Sequence, residues 1–200
     1  MFKTWVRENR LAISACALVL FAVSLTYVAR ESFIPMSPQE RAEKAAESFE
    51  ARTAITKPDL FFWAKTYDFF GDSFIWTLPM DQESFVYILY LTQPLEETPL
   101  EEIRKQYFEP KDYIQFAKEA GYLPVGWEPS PDKTLTIDEA VSLVKNSLDK
   151  RGIPVRFSQL YSWVFRDKSR EDLAELNWFE ALSLLYNVSK FKEYVLNFED

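Results

Sequence analysis

Carboxylates dominate the reactive side chains of this chain: 31 Asp and Glu stand against no His and a single Cys. Without His there is no imidazole general base, which excludes Ser-His-Asp and Cys-His catalysis. The same absence, with Cys16 set inside an apolar run, removes the usual zinc ligand sets. No Gly-rich phosphate loop occurs, and one Cys forms no disulfide within a chain. Paired carboxylates remain. Glu96/Glu97, Glu101/Glu102 and Asp167/Glu171/Asp172 are local clusters. A glycosidase needs two carboxyls facing each other across a cleft. These clusters read more simply as solvated helix starts, so a carboxylate-only envelope hydrolase is the least favoured function. Pro131-Asp132-Lys133 lacks the alternating Asp/Asn of a calcium loop. The expectation is a non-enzymatic protein with no metal and no cofactor.

Two carboxylates have a definite task. LTIDEAVSLVKN at 135–146 returns as LNWFEALSLLYN at 176–187, with Leu135/Leu176, Glu139/Glu180, Ala140/Ala181, Ser142/Ser183, Leu143/Leu184 and Asn146/Asn187 identical. Thr136 precedes Glu139, and Asn177 precedes Glu180, by the spacing of a capping box. The cap side chain accepts from a free first-turn amide, and the Glu reaches back to the cap amide. Behind each cap runs an apolar stripe at helical spacing: Ala140, Val141, Leu143, Val144, Leu148, then Ala181, Leu182, Leu184, Leu185, Val188.

A fainter copy, PMDQESFVYILY at 79–90, places Glu83 level with those glutamates and Met80 where the cap would stand; Asp81 offers a cap in a shifted frame. Each late helix follows a helix-like partner: FFWAKTYDFFG at 61–71, QFAKEAGYLP at 115–124 and FSQLYSWVF at 157–165. The expected fold is mainly α, with three helix–loop–helix units near 59–91, 112–149 and 157–189 in a domain spanning 57–200. Ser37-Pro38-Gln39-Glu40 reads as a further capping box, opening a helical stalk over 37–56. Its seam, Ala42, Ala45, Ala46 and Phe49, suits docking on the domain or pairing with a second copy. Gly71 is an expected helix end, 98–101 opens a short connector helix, 153–157 is extended, and 190–198 forms a last helix that packs back on the core.

The middle unit resembles the S-layer homology (SLH) repeat: a helix, a Gly-containing loop, a Pro, then a second helix opening with Ile-Thr-Arg-Ala-Glu. FAKEAGYLPVGWEPSPDKTLTIDEA supplies Gly121, Gly126, Pro131, Leu135, Thr136 and Glu139 in that order. The family usually carries three repeats, which form a compact helical prong that docks on cell-wall polysaccharide. The resemblance implies that fold and a cell-envelope role. The motif's Arg is Ile137 here, with Trp178 and Asp81 at that place in the other units. The family's hold on anionic sugar is thereby in doubt. Trp127, in the Gly/Pro loop where the family meets its ligand, is the candidate contact, with Lys118 and Lys133 the nearest cations to replace the Arg. Trp76, Trp127 and Trp163 are sugar-stacking candidates, although large aromatics more often serve a core.

Residues 11–29, LAISACALVLFAVSLTYVA, carry no charge over 19 residues, about 28 Å of helix and close to a bilayer's apolar thickness. Lys3, Arg7 and Arg10 precede the run. The positive-inside rule then makes 1–10 a cytoplasmic tail, 11–29 a transmembrane anchor in the lipid bilayer, and the rest extracytoplasmic. Cleavage after Ala22-Val23-Ser24 would instead give a secreted protein; Cys16 in ISAC suggests lipidation but reads more simply as a small membrane residue. Beyond residue 30 the chain holds 19 basic and 30 acidic residues, a balance that repels nucleic acid. The expected partners are cell-wall polysaccharide or an envelope protein, the latter as a structural or assembly subunit. A reporter fused after Asp200 is expected to be active outside the cytoplasmic membrane; cytoplasmic activity overturns this topology.

Overall fold

Three helix starts meet at one point, and the backbone there closes a ring. Met80 N–H donates to Leu176 C=O at 2.9 Å, Leu176 N–H to Leu135 C=O at 2.9 Å, and Leu135 N–H to Met80 C=O at 2.7 Å. Each donor is the residue before a helix cap: Asp81, Thr136 and Asn177 are the caps. A second cycle uses the first helical residues. Gln82, Ile137 and Trp178 donate to Lys133, Ala174 and Leu78 at 3.0, 2.8 and 3.1 Å. Antiparallel bridges pair Pro79 with Asn177, Asp81 with Thr134 and Thr136 with Glu175. The side chains of Met80, Leu135 and Leu176 are fully buried at this hub.

The computed structural model describes residues 37–51, 55–67, 75–93, 110–166, 168–171 and 173–198. Among them the fold is helical: α1 Pro38–Ser48, α2 Lys57–Lys65, α3 Gln82–Thr92, α4 Pro110–Glu119, α5 Ile137–Asp149, α6 Phe157–Ser162 and α7 Trp178–Leu196, with a short 3-10 turn at Lys168–Arg170. The tail, the apolar run 11–29, Gly71 and the connector at 98–101 lie outside the described residues. Among the described residues no helix is long and apolar enough to cross a membrane.

Helix α7 is the axis of the core. Glu180 to Ser189 are buried without a break, and Phe191 with them. A helix buried all round needs partners on every side, and α1, α2, α3 and α5 supply them. The other pairings run across the repeat rather than within it. α4 packs on α3, α6 on α5, and α2 on α7. The first helix of each sequence unit thus lies against the second helix of the preceding unit, and α2 on α7 closes the circle.

Within a unit the link is polar. Asn146 Nδ2 donates to Tyr122 C=O at 3.0 Å, and Asn187 Nδ2 to Trp163 C=O at 2.8 Å. This is the reason both repeats carry Asn there. Gly121 ends α4 at φ 73°, with Tyr122 N–H reaching back to Ala117 C=O at 2.9 Å. That left-handed closing turn favours Gly, and an added Cβ would stand 2.7 Å from Lys150 Cε.

Several expectations need correction. The first helix of the triad is capped by Asp81, whose side chain accepts from Ser84 N–H at 2.7 Å. Met80 therefore aligns with Leu135 and Leu176, Ser84 rather than Glu83 takes the capping-box position, and Gln82 rather than Asp81 stands at the motif Arg. The seam of the expected stalk docks on the domain, one of the two roles expected for it. Ala42, Ala45 and Ala46 are buried, and Phe49 packs against Trp163, Phe191 and Tyr194 with ring centroids 5.3, 5.2 and 5.6 Å away. Small alanines let α1 lie close on α7. Thr56 and Asp59 form a capping box that opens α2, so this helix starts upstream of the expected unit boundary. Residues 190–198 do not form a separate helix, because neither Gly nor Pro interrupts α7. Arg156 is extended, as expected, but the extended piece stops short of 157, because α6 begins at Phe157.

Leu135→Ala and Leu176→Ala are each expected to cost about 2–5 kcal/mol in denaturant unfolding, since both side chains are fully buried and truncation leaves a cavity. Equal costs at both sites would match the equivalence of the two positions. A loss near zero at either would remove the hub from the account of stability.

Candidate functional site

The loop from Gly121 to Thr134 joins α4 to α5, and the three residues expected to meet a ligand lie in or beside it: Trp127 within it, Lys118 just before it and Lys133 near its end. Trp127 N–H donates to Pro124 C=O at 3.0 Å, which turns the chain back. Its indole is half-buried and packs against the main core. It does not stand clear as a stacking platform. Lys118 is exposed but forms an ion pair with Glu128, the residue after Trp127. Lys133 is exposed at the far end of the loop, where its carbonyl receives Gln82 N–H in the hub. The structure thus joins Lys118 to the Trp127 segment through Glu128, and ties Lys133 to a different place. Val125, at the loop tip, is fully exposed. Trp163 is a core residue, and Trp76 packs edge-on against Phe179 at 6.0 Å.

The capping residues converge instead. Thr136 Oγ1 accepts from Glu139 N–H at 3.3 Å, and Glu139 Oε2 accepts from Thr136 N–H at 2.9 Å. Glu139 Oε1 then accepts from Gln82 Nε2 of the next helix start at 2.8 Å. Asn177 and Glu180 repeat the box at 2.9 and 3.0 Å. The N-terminal ends of three helices bring partial positive charge together. Carboxylates in the first turns, Glu83, Asp138, Glu139 and Glu180, offset it.

Glu180 differs from Glu139 in its surroundings. Its side chain is 1% exposed, and Arg166 Nε and Arg170 Nε approach its Oε1 at 3.4 and 3.2 Å. Both guanidinium groups also donate to backbone: Arg166 to Leu173 and Glu175 carbonyls, Arg170 to Glu175. A buried carboxylate needs such compensation. Sequence reasoning missed this cluster, although two Arg four residues apart just upstream of a capping box were a visible signal. Chemically it is a latch. Both oxygens of Glu180 are occupied, whereas a general acid must exchange its proton with a substrate.

Two tyrosines are also drawn in. Burial pushes the Tyr113 phenol up, with Tyr87, Asp112 and Tyr90 adding to the shift. Burial likewise raises Tyr122, against a lowering pull from Arg151. The Tyr122 hydroxyl donates to Gln93 C=O at 2.6 Å and ties the end of α3 to the start of the loop. Among the described residues no group of acidic or Cys side chains is placed to hold a metal ion. No family model matches the chain, and neither the curated proteins nor the solved structures give a match.

The two capping glutamates should separate in unfolding experiments. Glu139→Ala is expected to cost about 1–2 kcal/mol, a cap and a hydrogen bond. Glu180→Ala is expected to cost about 3 kcal/mol, the low end for breaking a buried pair because Arg170 is partly exposed. Equal losses would show that the arginines add nothing to the cap.

Proposed function

We propose that this chain is a membrane-anchored cell-envelope protein that works by binding rather than turnover. In this reading residues 11–29 hold it in the bilayer, and the helical domain is a divergent three-unit module of the SLH kind facing the extracytoplasmic side. Its ligand is cell-wall polymer or an envelope protein. The observation that carries the reading is the hub. Three equivalent helix starts linked in a cycle are what a compact prong of three repeats requires. The charge asymmetry about the apolar run supports the direction of the anchor.

A second reading, an assembly subunit that docks another protein, is favoured by one surface feature. Phe61 and Phe62 on α2 are 43% and 69% exposed, with their rings 6.1 Å apart. Adjacent exposed aromatics suit a protein partner. The engaged state of Lys118 and the half-buried Trp127 also leave less for a sugar at the loop where the family meets its ligand.

The test is co-sedimentation of the detergent-solubilised chain with isolated wall sacculi, before and after their secondary polymers are stripped. Binding that is lost on stripping is the expected result for a polymer-binding module. Absence of binding to either preparation refutes polymer recognition. Loss of a co-purifying envelope protein from a Phe61→Ser/Phe62→Ser variant would then select the assembly reading.

A further inference from the structure

Docking of α1 creates a cleft that neither the repeat nor its loops account for. Its volume is about 350 Å³, at the small end of the range for small-molecule sites. One wall is α1, presenting Glu43 and Glu47 one helical turn apart. The other wall is Lys145 of α5 and Arg156 before α6, with Val155 and Gln159 at the join.

The walls carry opposite charge, yet among the described residues no ion pair joins Glu43 or Glu47 to Lys145 or Arg156. Opposite charges on flexible side chains close on each other unless the backbone holds them apart. Gln159 holds them. Its Oε1 accepts from Arg156 N–H at 3.0 Å, and its Nε2 donates to Ala46 C=O at 2.6 Å. The one side chain sets the first turn of α6 and the last turn of α1 in a fixed relation. Ala46 and Val155 are buried beside it, so the spacing is a packed one. Lys145 pairs with Asp149 on its own helix, which leaves Arg156 as the principal cation facing the cleft.

We propose that this cleft binds a small zwitterion, a short peptide with a free ammonium group and a free carboxylate. The ammonium lies against Glu43 and Glu47, and the carboxylate takes the Arg156 guanidinium, with Lys145 adding field. A ligand bridging the walls also fastens α1 to the body. The inference stands apart from the envelope reading, since it uses neither the repeat nor the anchor.

Titration of the full chain in detergent micelles with the dipeptide alanyl-alanine, whose only charges are its terminal ammonium and carboxylate, tests it, followed by calorimetry, with the N-acetylated, C-amidated dipeptide as control. Saturable binding of the free dipeptide is expected, with roughly tenfold or greater weakening on capping and similar weakening in R156Q and in E43Q/E47Q. D132N, which does not line the cleft, should bind as the parent does. Circular dichroism establishes that each variant retains its helices, and the capped dipeptide asks the same question of unaltered protein. No saturation by the free dipeptide on folded protein overturns the proposal. So does binding indifferent to capping, or to both variants.

Discussion

A helix start buried in a protein leaves amide groups that water cannot reach, and this domain buries three of them at one point. Every one of those starts needs donors satisfied before the cap, at the first helical residue and at the third. The hub answers with a cycle. The residue before each cap and the first residue of each helix donate to the carbonyls of a neighbouring start. The third residue donates to the cap side chain. No one start can form its bonds alone, so the three helices and their order around the axis are set together.

That dependence explains why the domain pairs helices across units. A helix–loop–helix unit cannot bury both faces of its second helix by itself. In this fold the first helix of the next unit covers it, and α2 returns to cover α7. The described helices α2 to α7 close a ring through α7, with α1 laid over the far end of α7. Phe49 seals that end among Trp163, Phe191 and Tyr194. The buried Glu180 is tolerated at the centre because two arginines, themselves held by the Leu173 and Glu175 carbonyls, share its charge network.

The consequences for function follow from where rigidity lies. The hub and the capping boxes are occupied groups, engaged in holding the fold. What is left for recognition is peripheral: the loop around Val125, the exposed aromatics of α2, and the cleft that α1 closes against α5 and α6.

Much of the frame was legible in the residues themselves. Thr136/Glu139 and Asn177/Glu180 announce helix starts because capping is local, decided within four residues. The stripes behind them announce one buried face each, because helical period is local too. The mainly helical class follows from these. The Asp81 frame was harder to read, since Glu83 imitates a capping-box glutamate and Asp81 caps through Ser84 N–H without a return partner. The cross-unit pairing, the docking of α1, the half-buried state of Trp127 and the Arg166–Glu180–Arg170 cluster were decided only by tertiary structure. Each depends on which faces meet over long separations, as Gln159 meets Ala46. Periodicity states that a face is buried; it does not state against what. Partner choice is a property of the closed ring, because the surface that covers each helix exists only once the other two starts are in place.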